Sequence, residues 1–166
     1  MITLIKRLNE NDWQELRALR LKALQSDPAV FGSNYQKEST MTESEWKNWL
    51  QSEDAAIFIL YENTTPLGMT GINVDRDDPT KKTAILWGSW LGPHARGKGL
   101  SKIMYRERIA WAKKHPTIER IVVSHRASNL RSKRAAQKHG FLFTHTVNKV
   151  WTDGIHDENM FYELHL

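Results

Sequence analysis

The sequence predicts a mixed α/β fold built around one sheet, and three observations carry that prediction. Apolar strand-like runs at Ala56–Tyr61, Leu67–Val74 and Thr83–Leu91 are separated by short polar turns, which reads as an antiparallel meander. A helical stretch, Gly99–Lys114, lies between the strands Thr83–Leu91 and Ile118–Ser124, which reads as a strand–helix–strand crossover. The chain then closes with a hairpin around Thr152-Asp153-Gly154.

The elements follow in order. Ile2–Leu8 alternates apolar with polar residues, as an edge strand does. Asn9–Asp12 offers N-cap residues to a helix running to about Gln25, whose stripe is Trp13, Leu16, Leu19, Leu21 and Leu24 and which Asp27-Pro28 stops. Phe31–Thr40 carries no period and reads as irregular. Thr42-Glu43-Ser44-Glu45 is a capping box for a short helix with Trp46, Trp49 and Leu50. Within Gly99–Lys114 the expected apolar face is Leu100, Ile103, Met104, Ala110 and Trp111, with Glu107 falling anomalously inside it. Asn129–His139 is a helix ended by Gly140 at C′. Phe141–Trp151 and Met160–Leu166 are the final strands.

At 166 residues, 40% hydrophobic and 26% charged, the chain reads as one globular domain, residues 1–166, with no repeats or low-complexity segments. The apolar run Ala55–Leu60 falls far short of the roughly 18 residues that span a bilayer, so no membrane partner is expected. The N-terminal run Met1–Arg7 places its charge after its apolar residues and lacks a cleavage site, unlike a secretory leader. The absence of cysteine excludes disulfides, thiolate zinc sites and a cysteine nucleophile, and a cytoplasmic location is expected. His156-Asp157-Glu158 has no distant partners that would make a metal site, so no metal is expected.

Charge is distributed unevenly. His94–Lys138 holds thirteen Lys and Arg against two acids, a local net of +11, while the remainder of the chain is at −6. One segment therefore meets a polyanion. Inside it, Trp90-Leu91-Gly92-Pro93-His94-Ala95-Arg96-Gly97-Lys98-Gly99-Leu100-Ser101 leads a strand through a basic, glycine-spaced loop into a helix. Glycines admit a ligand close to the backbone, first-turn amides have no intrahelical acceptor, and the helix dipole favours an anion there. The loop lacks the Gly-Lys-Ser/Thr ending of a Walker A loop and is not a full dinucleotide fingerprint.

The next helix supplies a second motif. Asn129 opens it, and Gly140-Phe141 follows eleven and twelve residues later. With Arg96-Gly97-Lys98-Gly99-Leu100-Ser101, where the GNAT superfamily of acyl-CoA-dependent N-acyltransferases has Gln/Arg-x-x-Gly-x-Gly/Ala, the chain resembles that superfamily over essentially its whole length. The resemblance implies a GNAT-type fold, a central, mostly antiparallel sheet of six to seven strands flanked by about four helices. It implies acetyl-CoA as co-substrate, its pyrophosphate on the amides of Gly97, Lys98, Gly99, Leu100, Ser101 and Lys102 with Arg96 nearby. The pantetheine arm would lie along Ser89, Trp90 and Leu91, Asn129 would hold it from the other side, and the Leu91 backbone N–H would face the thioester carbonyl.

The chain departs from the family in places. Ser101 replaces a Gly or Ala, and Ala136 stands where many members have a proton-donating tyrosine. A thiol of pKa about 8.5 can leave without it, with water or another hydroxyl as donor. The glutamate that some members carry on the central strand is also missing from Ala84–Leu91. The attacking amine must nonetheless lose a proton. Glu38 in the acceptor-side segment, His125 after the fifth strand, and Glu107 are the substitutes the sequence offers, Glu107 reading better as an ion-paired structural residue.

The expected reaction is acetyl transfer to a primary amine by direct attack in a ternary complex. Acid-bearing segments Pro28–Glu53 and Asp75–Asp78 favour a small cationic acceptor such as a polyamine or aminoglycoside, or an N-terminal amine. The resemblance also makes a homodimer through the last strands plausible. Two rivals stand beside this reading. One is a nucleic-acid module using Arg106, Arg108, Lys113, Lys114, Arg131, Lys133 and Arg134, disfavoured because no aromatic residues interleave these charges. The other is a CoA-binding sensor without catalysis.

Overall fold

The computed structural model describes residues 3–166, so Met1 and Ile2, the start of the first expected strand, lie outside the described residues. Strands β1 (Thr3–Arg7), β2 (Ala55–Glu62), β3 (Thr65–Val74), β4 (Thr83–Leu91), β5 (Arg120–Arg126), β6 (Leu142–Val150) and β7 (His156–His165) form one sheet in the order 1-2-3-4-5-7-6. Every neighbouring pair is antiparallel except β4 with β5, which the crossover makes parallel. The helices are α1 (Trp13–Ser26), α2 (Tyr35–Glu38), α3 (Glu43–Gln51), α4 (Ser101–Lys114) and α5 (Leu130–Lys138). None of them is long and apolar enough to cross a membrane.

Side-chain alternation splits the core into two layers. On β2, Ile57 and Ile59 pack with Leu16 and Leu24 of α1 and Trp46 of α3, while Ala56 and Phe58 face the opposite layer with Tyr105 of α4 and Ala136 of α5. Burying a Leu or Ile this completely stabilises the fold by about 1.5–3 kcal/mol each. Local signals position the helices. Asn9 and Asp12 form a capping box around a 3₁₀ turn that leads into α1, and Thr42 with Glu45 does the same for α3. Gly140, at φ +86°, ends α5.

Four expectations need correction. The segment read as irregular contains α2, one helical turn capped by the Asn34 side chain. β5 runs on to Arg126, so His125 lies within it, and β7 begins at His156. The buried face of α4 is Met104, Tyr105, Arg108 and Ala112, rotated from the predicted stripe. Glu107 sits half-buried beside it, paired with Arg106. Finally, the Asp75–Asp78 loop belongs to the β3–β4 turn, where Asp78 accepts from the amides of Thr80, Lys82 and Thr83. That turn lies roughly 26 Å along β4 from Leu91, too far to serve as acceptor-side charge.

Candidate active site

Two irregularities in β4 create the site. Leu86 and Trp87 face Ile72 and Gly71 of β3, but the next pair is Trp90 with Met69, so β4 carries one extra residue. Gly88 takes up that bulge at φ +64°. Gly71 lets the strands close over it, since a Cβ there would lie 2.5 Å from the Trp87 ring. Beyond the bulge the parity of the strand is shifted, so Trp90 joins the α1–α3 layer. The second irregularity is a split: β4 and β5 pair only over Thr83–Ile85 and Arg120–Val122, then diverge. Past that point β5 is paired only with β7.

The gap exposes backbone donors. Gly92 N–H donates to Leu67 O at 2.8 Å, towards β3. Successive amides of a strand point to opposite edges, so Leu91 N–H, and Ser89 N–H before it, face the gap. A cleft of about 460 Å³ opens here, lined by Ser89, Trp90 and Leu91 on one side and Asn129 on the other. Asn129 caps α5 through its side-chain oxygen, accepting from Ser132 N–H at 3.2 Å, which leaves its amide nitrogen free to donate.

The loop after β4 forms the mouth. Gly97 and Gly99 hold φ of +74° and +72°, and a Cβ on either would meet open space. These glycines are therefore required by backbone conformation rather than by packing. Leu100 is the N-cap residue of α4 and offers no capping side chain, so the Ser101 amide stays available to a ligand. The Lys102 amide, expected in the cradle, instead donates to Gly99 O at 3.2 Å, and Ile103 N–H to Leu100 O at 3.1 Å. Gly97, Gly99, Leu100 and Ser101 line the cleft, whereas Lys98 and Lys102 are exposed beside it. Arg96 also lines the cleft and is anchored on its protein side. Its Nε donates to Leu91 O at 2.8 Å and its Nη2 to Asp27 Oδ2 at 2.6 Å, which bolts the loop to the end of α1. Trp90 Nε1 donates to the same Asp27 oxygen at 2.7 Å. Burial raises the pKa of Asp27, but the hydrogen bonds from Trp90 and Arg96 and the nearby charges of Arg96 and Arg131 outweigh it, leaving the carboxyl below its ordinary value.

The two proposed bases lie on opposite faces of the sheet. Glu38 is buried and accepts two hydrogen bonds from Arg20, from Nε at 2.8 Å and Nη2 at 2.9 Å. The Arg20 guanidinium stacks over Phe31 and lies against Gly88 of the bulge. A carboxylate so engaged is neither solvated nor free to attract a cationic amine, in contrast to the expectation for Glu38. His125 lies in the other layer, stacked on Tyr162. Its Nδ1 is 2.7 Å from Arg126 O and so donates there, leaving Nε2 to accept from the Tyr162 hydroxyl at 3.2 Å. Burial pushes the His125 pKa down, with the Arg126 carbonyl opposing and Lys133 reinforcing the shift. The ring is thus neutral with both nitrogens engaged. Neither residue lines the cleft. Among the described residues, no group of His, Asp and Glu could hold a metal ion.

Sequence reasoning missed several cleft residues. Arg131, Arg134 and Lys138 line it from α5. Their i, i+3, i+7 spacing on one helical face is the available signal, although at the level of sequence the two arginines enter only under the disfavoured nucleic-acid alternative. Asp27, Tyr105 and Arg108 also line it and carried no local signal.

A family model described as the Acetyltransferase (GNAT) family matches residues 13–141. The chain, with its amide cradle, bulged fourth strand and split sheet, belongs to that family. Among solved structures, an acetyltransferase of the GNAT family from Streptococcus pneumoniae is 20% identical with a TM-score of 0.84, over 99% of this chain and 100% of that one. A putative acetyltransferase from Salmonella typhimurium with its cofactor acetyl-CoA is 18% identical, TM-score 0.81, over 99% and 94%. A spermidine N-acetyltransferase from Vibrio cholerae in complex with CoA and spermine is 9% identical, TM-score 0.76, over 98% and 95%. At these identities the likeness is one of fold. A comparison with curated proteins gives no match.

Proposed function

We propose that this acetyltransferase moves an acetyl group from acetyl-CoA to the primary amine of a small molecule or a peptide N-terminus, by direct attack in a ternary complex. The observation that carries the reading is the continuity of the cleft. Open amides at Gly97–Ser101 and the basic face of α5 suit a diphosphate, and the cleft leads from them to the gap-facing amides of β4. Coenzyme A supplies an activated thioester there. Asp27 and Arg96 keep the cradle loop in place, Leu91 and Ser89 N–H face the acyl carbonyl, and Asn129 donates to the arm from α5. The amine enters from the α1–α3 face, across the bulge.

That face does not favour a cation strongly. Glu38 is neutralised by Arg20, and Arg126, at 2.7 and 3.1 Å from Asp153 and Asp157, offsets one of their two charges. With Glu38 and His125 engaged, water in the gap takes the amine's proton, so transfer requires the fraction of amine already near neutrality. The assay is thiol release from acetyl-CoA across a panel of polyamines, aminoglycosides and short peptides. Amine-dependent release that rises with pH towards the amine's pKa supports the reading. Slow hydrolysis unaffected by every amine overturns it in favour of a CoA-binding sensor.

A second copy is the proposed partner of β6. This edge strand is exposed along nearly its whole length, including Leu142, Phe143 and Val147, a surface that lone edges avoid. Sedimentation should show a dimer that Phe143→Asp converts to monomer; a wild-type monomer at assay concentration refutes it. The cysteine-free chain suits a reducing cytoplasm.

A further inference from the structure

The cleft contains a buried positive charge that no carboxylate among the described residues neutralises. Arg108 of α4 is 1% exposed. Its Nε donates to Met104 O at 3.1 Å, its Nη1 donates to Ser89 Oγ at 2.8 Å, and the guanidinium stacks 4.8 Å from the centre of the Tyr105 ring. Ser89 Oγ is in turn 2.8 Å from Thr70 Oγ1 on β3. The cleft's other charged side chains are Arg131, Arg134 and Lys138 on α5, with Arg96 and Asp27 at the mouth. Asp27 already holds Arg96 and Trp90. Glu107, the neighbour in sequence, turns to Arg106. Among the described residues, therefore, Arg108 has no carboxylate partner. Desolvation lowers its pKa to about 10, which leaves it protonated at neutral pH.

A lone buried cation is unfavourable, and an apolar side chain of similar volume is ordinarily as good or better for stability. A structural role therefore does not account for Arg108. Its position does. Ser89 lies two residues deeper into the gap than Leu91, at the end remote from the amide cradle. If coenzyme A lies with its diphosphate on that cradle, as proposed above, the thioester reaches the Ser89 end. Transfer forms the N–C bond and breaks the C–S bond. The electron pair of that bond stays on sulfur, and the amine's proton passes to water. Negative charge therefore develops on sulfur beside a cation that is both buried and without a carboxylate partner among the described residues. Ala136 offers no proton there, and burial raises the Tyr105 pKa, making that hydroxyl a poorer acid.

We propose that Arg108 is an anion-stabilising residue of the donor site, holding the departing sulfur of coenzyme A as a thiolate by charge, so that transfer needs no proton donor. Preorganised charge of this kind is most effective in a desolvated cleft.

The test is the ionisation of coenzyme A bound to the enzyme. It is followed by thiolate absorbance against the same enzyme saturated with a desulfo analogue, for wild type, Arg108→Met and Arg108→Lys. In wild type the bound thiol should ionise about tenfold or more readily than free coenzyme A, a shift of one pH unit. Arg108→Lys should keep part of that shift, and Arg108→Met should lose it while melting no lower than wild type. A wild-type thiol that ionises no more readily than the free one overturns the proposal, even if Arg108→Met fails to fold. So does an unchanged titration in folded Arg108→Met. A donor preference of tenfold or more for malonyl- or succinyl-CoA over acetyl-CoA, lost in Arg108→Met, also overturns it, because the charge then serves an acyl carboxylate. If calorimetry detects no coenzyme A binding, the transferase reading fails with it; a normal affinity with an unshifted thiol sinks the Arg108 proposal alone.

Discussion

Replacing Glu38 with Gln separates a structural carboxylate from a catalytic one. In the folded protein Glu38 and Arg20 form a two-bond ion pair whose side chains are 5% and 6% exposed. Arg20 Nη1 is buried and already lacks a partner. Glu38→Gln keeps the shape and one acceptor but leaves the guanidinium uncompensated. Breaking a buried pair from one side costs about 3–5 kcal/mol, and the retained acceptor puts this variant near 3 kcal/mol. For a chain of this size that lowers the melting temperature by roughly 6–12 °C. Arg20→Met with Glu38→Gln should recover most of the loss, since no charge is then left buried. The assay is calorimetric melting of the two single variants and the double, alongside the pH–rate profile of transfer. The account expects an altered melting temperature with the profile's shape retained. A Glu38→Gln variant that melts with wild type while losing the acidic limb of its profile would refute the reasoning and make Glu38 the base.

Other outcomes follow from the same geometry. Gly99→Val should reduce coenzyme A affinity by more than tenfold in a calorimetric titration, because a β-branched residue at φ +72° is strained and its side chain occupies the open space before the cradle amides. His125 is held neutral when folded and takes up a proton when unfolded. Stability should therefore fall as pH drops below about 6.5, and His125→Asn should flatten the melting temperature between pH 7 and 5. Arg134→Ala with Lys138→Ala should weaken binding of coenzyme A, with its phosphates, and leave pantetheine unaffected; equal losses for both ligands would remove α5 from phosphate binding.

Signals confined to a few neighbouring residues were legible in the sequence. The capping boxes at Asn9 and Thr42, the meander, the cradle loop and the Asn129 cap each depend on contacts within a turn or two. Phe31–Thr40 was not, because the single turn of α2 is too short to show a period and is held by Asn34 and by the distant Arg20. The face of α4 was misread because a stripe counted from apolar residues passes over Tyr105 and Arg108, which are buried through their stems and rings. The anchoring of Arg96 is not legible in the sequence because its partner, Asp27, lies 69 positions away. His125 could not be oriented from sequence, since one residue of register on β5 decides which layer it joins.

The central claim is that the cradle at Gly97–Ser101 and the gap beyond it form one coenzyme A site. Isothermal titration of the wild-type chain with coenzyme A tests it most directly. The account predicts one molecule bound per chain, in the micromolar to submillimolar range common for enzyme substrates, with Gly99→Val abolishing most of the heat. Binding undisturbed by Gly99→Val, or no binding by the wild-type chain at millimolar ligand, would contradict it.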